Sequence, residues 1–311
     1  MILVAIPAIA LALISLAAFF GGWVWWLDVL ANFRAQYVVG LAALGLIVVM
    51  SKWRRIGYAV LVVAVINLVV VLPLYVGSPA EGSLDVPSIR VMSFNLLSTN
   101  ESYSEVIEYI ETVDPDLVLL HEASRPWEVA IDSAALEYEV IRPRSEDLIF
   151  GTLVLVRGED VRAVSFGFAM ANPRAVEIVF TPAGWDSPVS VLATHPLAPT
   201  TGERAGLRNA QLVFAGEWAA EQSGAFLVVG DFNATPWSSP FRTLMGAAEL
   251  HNSQVGFGLQ PSFPVESNLL LRVPIDHLLH GQALEVVDRR LGPALGSDHF
   301  PLVVDLQLAE G

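Results

Sequence analysis

The sequence predicts a layered α/β sandwich with mixed or antiparallel sheets, preceded by three membrane-spanning helices. Two observations predict it. Residues 1–77 hold only Asp28, Arg34, Lys52, Arg54 and Arg55 as charged side chains, whereas after them short, β-rich apolar runs follow one another with a helical pattern between only some of them. The chain has 311 residues, 54% of them hydrophobic, and a formal net charge of −15, so the remainder is a strongly acidic domain long enough for a full core. An acidic domain repels polyphosphate backbones at long range, which makes nucleic acid the less expected partner. The absence of cysteine excludes disulfides, thiolate metal sites and a thiol nucleophile.

Three stretches approach the roughly 20 apolar residues that a spanning helix needs: Ile2–Leu27, Gln36–Met50 with its flanks, and Ile56–Val76. A cleaved signal peptide is the rival reading of the first. It lacks a basic start and is followed by two further apolar segments, which favours retained helices. The basic cluster Ser51-Lys52-Trp53-Arg54-Arg55 assigns that loop to the cytoplasmic side. The amino terminus is then cytoplasmic, everything after Val76 is extracytoplasmic, and Trp23, Trp25 and Trp26 belong to the outer interfacial belt. The expected division is a 1–77 anchor, a 78–88 linker rich in Gly, Pro and Ser, and a soluble domain over 89–311.

Within that domain the strand candidates are Ile89–Phe94, Leu117–Leu120, Leu148–Val156, Ala175–Phe180, Val189–Ala193, Ala225–Val229, Ile275–Leu279 and Leu302–Leu306. Glu105–Val113 and Arg204–Glu221 carry helical stripes. Polar residues appear abruptly where several strands end, the place where a rigid sheet holds functional loops. They are Asn95, Glu122 in Leu119-Leu120-His121-Glu122, His195 in Ala193-Thr194-His195-Pro196, Asp231 and Asn233 in Gly230-Asp231-Phe232-Asn233, Asp276 in Ile275-Asp276-His277, and Asp298 with His299 in Gly296-Ser297-Asp298-His299. His121, His277 and His280 read as structural. No helical zinc-protease motif, dinucleotide fingerprint or nucleophile elbow accompanies them.

In this order the set resembles the endonuclease/exonuclease/phosphatase superfamily of metal-dependent phosphoesterases over about residues 89–308. The resemblance implies a four-layered sandwich, two β-sheets flanked by helices, with the active site at one edge of the sheets. It also implies that Asp276 fixes the tautomer of the catalytic histidine. Phosphoester hydrolysis needs neutralised phosphoryl oxygens, an activated water and a stabilised leaving oxygen. Hard oxygen donors suit Mg²⁺ or Mn²⁺. Glu122 is the expected principal metal ligand, with Asn95 beside it and Asp298 completing the set directly or through water. His299 is the general base or a phosphate-orienting imidazole. Asp231 orients or deprotonates the attacking water, while Asn233 and His195 donate to non-bridging oxygens.

Superfamily membership sets the reaction and not the ester. The three amino-terminal helices resemble the glycopeptide (vancomycin/teicoplanin) resistance-associated branch, whose proposed substrates are undecaprenyl pyrophosphates of the cell-wall lipid cycle. Arg174, Arg204 and Arg208 are the expected contacts to a second phosphate. Trp237, Phe257, Phe263 and Leu269-Leu270-Leu271 are candidates to accept an isoprenoid tail. The alternatives are an extracytoplasmic nuclease or phosphodiesterase, and a catalytically silent membrane receptor. No protein partner can be inferred.

Overall fold

The computed structural model describes residues 2–82, 86–142, 150–168 and 171–309. The apolar segment forms α1 (Ile2–Ala17), α2 (Trp25–Ala31), α3 (Arg34–Val49) and α4 (Arg54–Val71). Helical turns extend α1 to Phe20 and α4 to Tyr75, and both are then long and apolar enough to cross a bilayer. The expected first span, Ile2–Leu27, is not one helix. Gly21-Gly22 turns the chain back so tightly that a Cβ on Gly21 would lie 2.7 Å from the Cα of Asp28, an approach only glycine permits. A third span exists only if α2 and α3 count together, and they are bent by 67°. The long helices pack through Ala5, Ala8 and Ala12 of α1 and Ala64 of α4, set against Tyr37, Leu41 and Val48 of α3. Small residues allow that close approach. Arg34 is buried among them, donating to the Ser15 carbonyl and to Asn67 Oδ1, both at 2.8 Å.

The remaining elements are β1 (Ser88–Asn95), α5 (Tyr103–Val113), β2 (Leu117–Ser124), α6 (Arg125–Ala134), β3 (Glu139–Ile141), β4 (Phe150–Val156), β5 (Glu159–Phe168), β6 (Ala171–Thr181), β7 (Val189–Ala193), α7 (Gly202–Ala220), β8 (Ala225–Asp231), α8 (Ser239–Ala247), β9 (His251–Asn252), β10 (Asp276–His280), β11 (Leu284–Leu291) and β12 (Leu302–Leu308). They build two six-stranded mixed sheets in the orders β11-β12-β1-β2-β4-β3 and β5-β6-β7-β8-β10-β9. Side chains alternate strictly between layers. Ile89, Val91, Leu117 and Leu119 meet Val189, Val191, Leu227 and Val229 between the sheets. Their sequence neighbours Met92, Phe94, Val118 and Leu120 instead pack under α5 and α6 with Ile110 and Trp127. On the other side Leu192, Phe226 and Val228 pack under α7 and α8 with Leu212 and Phe241. A strand buried on both faces has to be apolar at every position, which is why the central strands read so clearly.

The parallel pairs are β1 with β2 and β7 with β8. Each requires a crossover, and α5 and α7 supply them. The strands without an apolar run in the sequence, β3, β5, β9 and β11, are the four sheet edges. Edge strands are short or bury one face and carry charge, as in Leu284-Glu-Val-Val-Asp-Arg-Arg-Leu291. The short helices α6 and α8 were also not predicted; each opens on a proline, Pro126 and Pro240.

The anchor is joined to the domain along one side. Asp28 of α2 accepts from Arg208 Nη2 of α7 at 2.7 Å and from the Ser239 backbone N–H at 2.7 Å. Thr235 Oγ1 and Asn32 Oδ1 are 3.1 Å apart, and Gln36 of α3 donates to the Arg272 carbonyl at 2.8 Å. Trp237 is buried against Ala18, Ala31, Val71 and Leu74. The Leu74 carbonyl accepts from Gly256 and Gly258. Around residues 83–85, the Ala80 N–H reaches the Val286 carbonyl and Gln307 reaches that of Val86.

The Asp28–Arg208 pair is almost wholly buried, so removing one partner strands a charge at a cost of about 3–5 kcal/mol. Asp28→Leu and Arg208→Met should each lower the melting temperature in detergent sharply, and the double variant should recover most of the loss.

Candidate active site

The topology brings every sequence-predicted residue of the strand ends to one edge of the sandwich. Asn95, Glu122, His195 and Asp231 stand at or just beyond the carboxyl ends of β1, β2, β7 and β8. β10 and β12 run antiparallel to β8 and β1, so their amino ends arrive at the same edge. Asp276 pairs in register with Asp231, and Leu302, three residues beyond His299, pairs with Ser93.

Local backbone geometry aims the side chains. Glu122 sits in the β2 irregularity between Leu120 and Ala123 with φ of 57°, and Asn233 has φ of 49°. Non-glycine residues in this left-handed region are uncommon and concentrate at functional sites. Gly230, with φ of 145°, lies so close that a Cβ would fall 1.9 Å from the Thr194 carbonyl oxygen. No side chain fits there, and the close approach sets Asp231 beside His195.

Asn95 Nδ2 donates to Asp231 Oδ2 at 3.1 Å and to Glu122 Oε1 at 3.4 Å. The Ser98 N–H reaches Glu122 Oε2 at 3.2 Å. His195 Nε2 is 3.4 Å from Asp231 Oδ2 and 3.9 Å from Glu122 Oε1. His299 Nε2 lies 3.6 Å from Asp231 Oδ2, while its Nδ1 is 2.8 Å from Asp276 Oδ2. Ser297 Oγ donates to the Asn95 carbonyl at 2.6 Å and accepts from the His299 N–H at 3.0 Å, which locks the terminal motif onto β1. Asn233 donates to the Pro196 carbonyl at 3.0 Å and, more weakly, to Asp231 Oδ2 at 3.4 Å.

The charges follow from these contacts. Burial alone would favour a neutral His299, but Asp276 and Asp231 outweigh it and hold the imidazolium up to about 10. Asp231 is likewise opposed by burial, yet His299, His195 and the Asn233 N–H hold its carboxyl far below the usual range. The His195 imidazole is raised against its burial by Asp231 and Glu122. The Asp298 carboxyl is raised by burial, with Glu122 and Asp231 adding to the shift and His299 opposing it. Acidic oxygens gathered in this way fit a hard divalent cation. Ligand atoms of Asp231, Asp276 and His299 all lie within 4.8 Å of one another, the spacing of a metal site, but the protonated His299 acts there as a counter-charge and not as a ligand, and Asp276 Oδ1 is buried without a hydrogen-bond partner.

A family model for the Endonuclease/Exonuclease/phosphatase family matches residues 92–299. The chain belongs to that family. Endonuclease/exonuclease/phosphatase members are phosphoester hydrolases and generally use divalent metals. Similar solved structures include the endonuclease/exonuclease/phosphatase from Bacteroides vulgatus, 18% identical, covering 72% of this chain and 100% of its own, with a TM-score of 0.59. A humanized D. rerio TDP2 is 15% identical, covers 71% of this chain and 99% of its own, and has a TM-score of 0.60. D. rerio TDP2 complexed with single strand DNA product is 14% identical, covers 71% and 99% respectively, and has a TM-score of 0.60. At these identities the likeness is one of fold. No curated protein matches the sequence.

Two of the three predicted phosphate-binding arginines, Arg208 and Arg204, are engaged with protein groups. Arg208 is buried, with its guanidinium on Asp28, the Asn233 carbonyl and Asn209. It braces the catalytic loop against the anchor instead of facing a ligand. Arg204 is exposed at the start of α7 and donates to the Ala198 carbonyl at 3.0 Å. The Arg174 side chain lies outside the described residues. Of the apolar candidates, Trp237 packs against the apolar helices and Phe263 meets His299 in a tilted ring contact at 4.7 Å. Phe257 lines a separate cavity of about 590 Å³ with His251 and His280.

Three residues support the site from behind: His121 and His277, which the sequence reads as structural, and Arg289, which carries no signal there. Arg289 is buried, donating to Ser253 Oγ at 3.1 Å and to the Asp276 carbonyl at 3.2 Å, and burial lowers its guanidinium to about 9. His121 lies beneath the site between Thr152 Oγ1 at 3.1 Å and Ser93 Oγ at 3.4 Å. His277 bonds the Ala234 carbonyl at 2.8 Å and so supports the Asp231–Asn233 loop from below.

Burial pushes both His121 and His277 down to about 3, so both are neutral in the folded chain. An unfolded histidine takes up its proton near pH 6.5. Their contribution to stability is therefore complete above about pH 6.5 and is lost as pH falls toward 3. Melting temperature should fall on acidification through this window, and His277→Gln should flatten the fall.

Proposed function

We propose that this chain is a membrane-anchored, Mg²⁺-dependent phosphatase that acts outside the cytoplasm on a pyrophosphate lipid, such as undecaprenyl pyrophosphate. One observation carries the lipid reading: the anchor contacts the same edge that holds the candidate active site. Thr235, Trp237 and Ser239, immediately after Asp231 and Asn233, are the residues that meet α2 and its surroundings. A site so positioned is accessible to a headgroup at the bilayer surface. Acidity of the domain disfavours long polyanions.

Glu122, Asn95 and Asp298 are the residues we assign to the metal, Mg²⁺ or Mn²⁺. Once bound, the ion would neutralise charge on the phosphoryl oxygens. Asp231, held ionised, orients a water for in-line attack on the terminal phosphorus and takes its proton, while the P–O bond opposite the water breaks and the lipid monophosphate leaves. His299 begins as an imidazolium, oriented by Asp276, and donates a hydrogen bond to a phosphoryl oxygen as charge builds there. His195 donates to a non-bridging oxygen. Asn233 does so from a loop already fixed by the Pro196 carbonyl and Arg208. No covalent enzyme intermediate is required.

A second reading, nuclease or phosphodiesterase, is favoured by one specific finding, the similarity of fold to TDP2 structures, one of them with a single strand DNA product. A silent receptor is disfavoured, because Asn95, Glu122, His195, Asp231, Asn233, Asp276, Asp298 and His299 are all present.

Purified protein in detergent should release phosphate from a polyprenyl pyrophosphate without nicking plasmid DNA. Nicking alone would replace the lipid reading with the second. EDTA should abolish turnover and Mg²⁺ restore it; full activity in metal-free buffer is the opposing result. Asp231→Asn and His299→Ala should each lower kcat by about 100-fold or more. For sidedness, Glu81→Cys adds the sole cysteine of the chain, and it should react with an impermeant maleimide on intact cells.

A further inference from the structure

The loop between β9 and β10 ends in a feature that the chemistry does not use. Leu269, Leu270 and Leu271 form a helical turn and are 64%, 59% and 58% exposed. Consecutive exposed leucines in an acidic domain form an apolar surface that water does not favour. The turn is firmly held. Asn268 Oδ1 accepts from the Leu270 N–H at 3.1 Å, and Arg272 donates to the Ser267 and Val265 carbonyls at 3.0 Å and 2.5 Å. The Arg272 guanidinium also lies over the Phe300 ring at 4.9 Å. The leucines therefore project from a clamped loop.

Contacts on two sides locate that loop. On one side the Val265 N–H donates to the Asp298 carbonyl at 2.8 Å, and the Phe263 ring lies tilted against His299. On the other, the Arg272 carbonyl accepts from Gln36 at 2.8 Å, and Gln36 lies in the first turn of α3, one of the apolar anchor helices. The residue after the leucines is thus level with the amino-terminal end of α3, at the bend between α2 and α3. The exposed aromatic residues at the nearby helix ends, Trp23 at 83% and Trp26 at 53%, are of the type enriched at a bilayer interface.

We infer that Leu269-Leu270-Leu271 is a membrane wedge, embedded in the hydrocarbon of the leaflet on which the catalytic domain sits. Its occupant is lipid. The wedge holds the β9–β10 loop, and with it Asp298 and His299, at the depth of the headgroups, so that a phosphate on an embedded lipid meets the site without leaving the bilayer. The inference rests on the membrane reading of the anchor, and it deepens the lipid reading of the active site without depending on which ester is cleaved.

The test is depth-dependent quenching in phosphatidylcholine vesicles. The full-length chain has no cysteine, so Leu270→Cys, Val39→Cys and Glu217→Cys can each carry a single bimane label. Val39 is an exposed position on α3 and Glu217 an exposed position on α7. Lipids bearing a nitroxide at carbon 5 should quench the label at 270 at least twofold, quench that at 39 similarly, and leave that at 217 unaffected. Quenching at 39 but not at 270 overturns the wedge while the anchor reading stands. Quenching at neither overturns both. Shielding at 270 that follows protein concentration and not nitroxide lipid points to a second copy of the chain as the occupant, and also overturns the wedge.

Discussion

Carboxylates do not gather in a protein interior unless something opposes their repulsion, and the candidate active-site edge of this molecule is organised around that constraint. Asp231 and Asp276 are buried beside His299, with Glu122 and Asp298 within electrostatic reach. His299 answers two of the charges directly, and its imidazolium is what allows Asp231 to remain ionised without water. A divalent cation of the kind the family generally uses would supply the rest when held by Glu122, Asn95 and Asp298. Burial, which normally neutralises an acid, here strengthens each charged contact because the local dielectric is low.

Holding such a set together is a task for the backbone. The carboxyl ends of two parallel strand pairs and the amino ends of two antiparallel strands meet at one edge, so the residues come from six strands and their adjoining loops. Each loop is tied by groups without chemical duties: Ser297 to β1, His277 to the Ala234 carbonyl, Arg289 to the Asp276 carbonyl. Arg208 extends this bracing beyond the domain. Its guanidinium joins the Asn233 carbonyl to Asp28 in α2, so the position of the anchor and the shape of the catalytic loop are mechanically linked. The proposed lipid reading rests on that linkage.

Much of the architecture was legible because the central strands are buried on both faces and must be apolar throughout. The edge strands β3, β5, β9 and β11 were not legible, since one open face removes the pattern. Among site residues, Asp231, Asp276 and His299 stood out through abrupt polarity at strand ends. Arg208 was misjudged because a helical arginine near a catalytic motif reads the same whether it faces a phosphate or a buried carboxylate. A signal for the correct partner was available: Asp28 is the sole acid in the apolar segment, and such a residue seldom lacks a role.

By itself the sequence determined the division into an apolar helical segment and an acidic sandwich, the central strands, and the set of acids, amides and histidines at their ends, because these depend on local hydrophobicity and residue type. Tertiary structure decided what depends on distance and direction. It broke the first apolar stretch at Gly21-Gly22, where a close backbone approach excludes any side chain. It turned Arg208 inward to Asp28, since a buried charge requires a counter-charge wherever in the chain one lies. It also set Leu269-Leu270-Leu271 level with the end of α3, a juxtaposition across more than two hundred residues that no local pattern can encode.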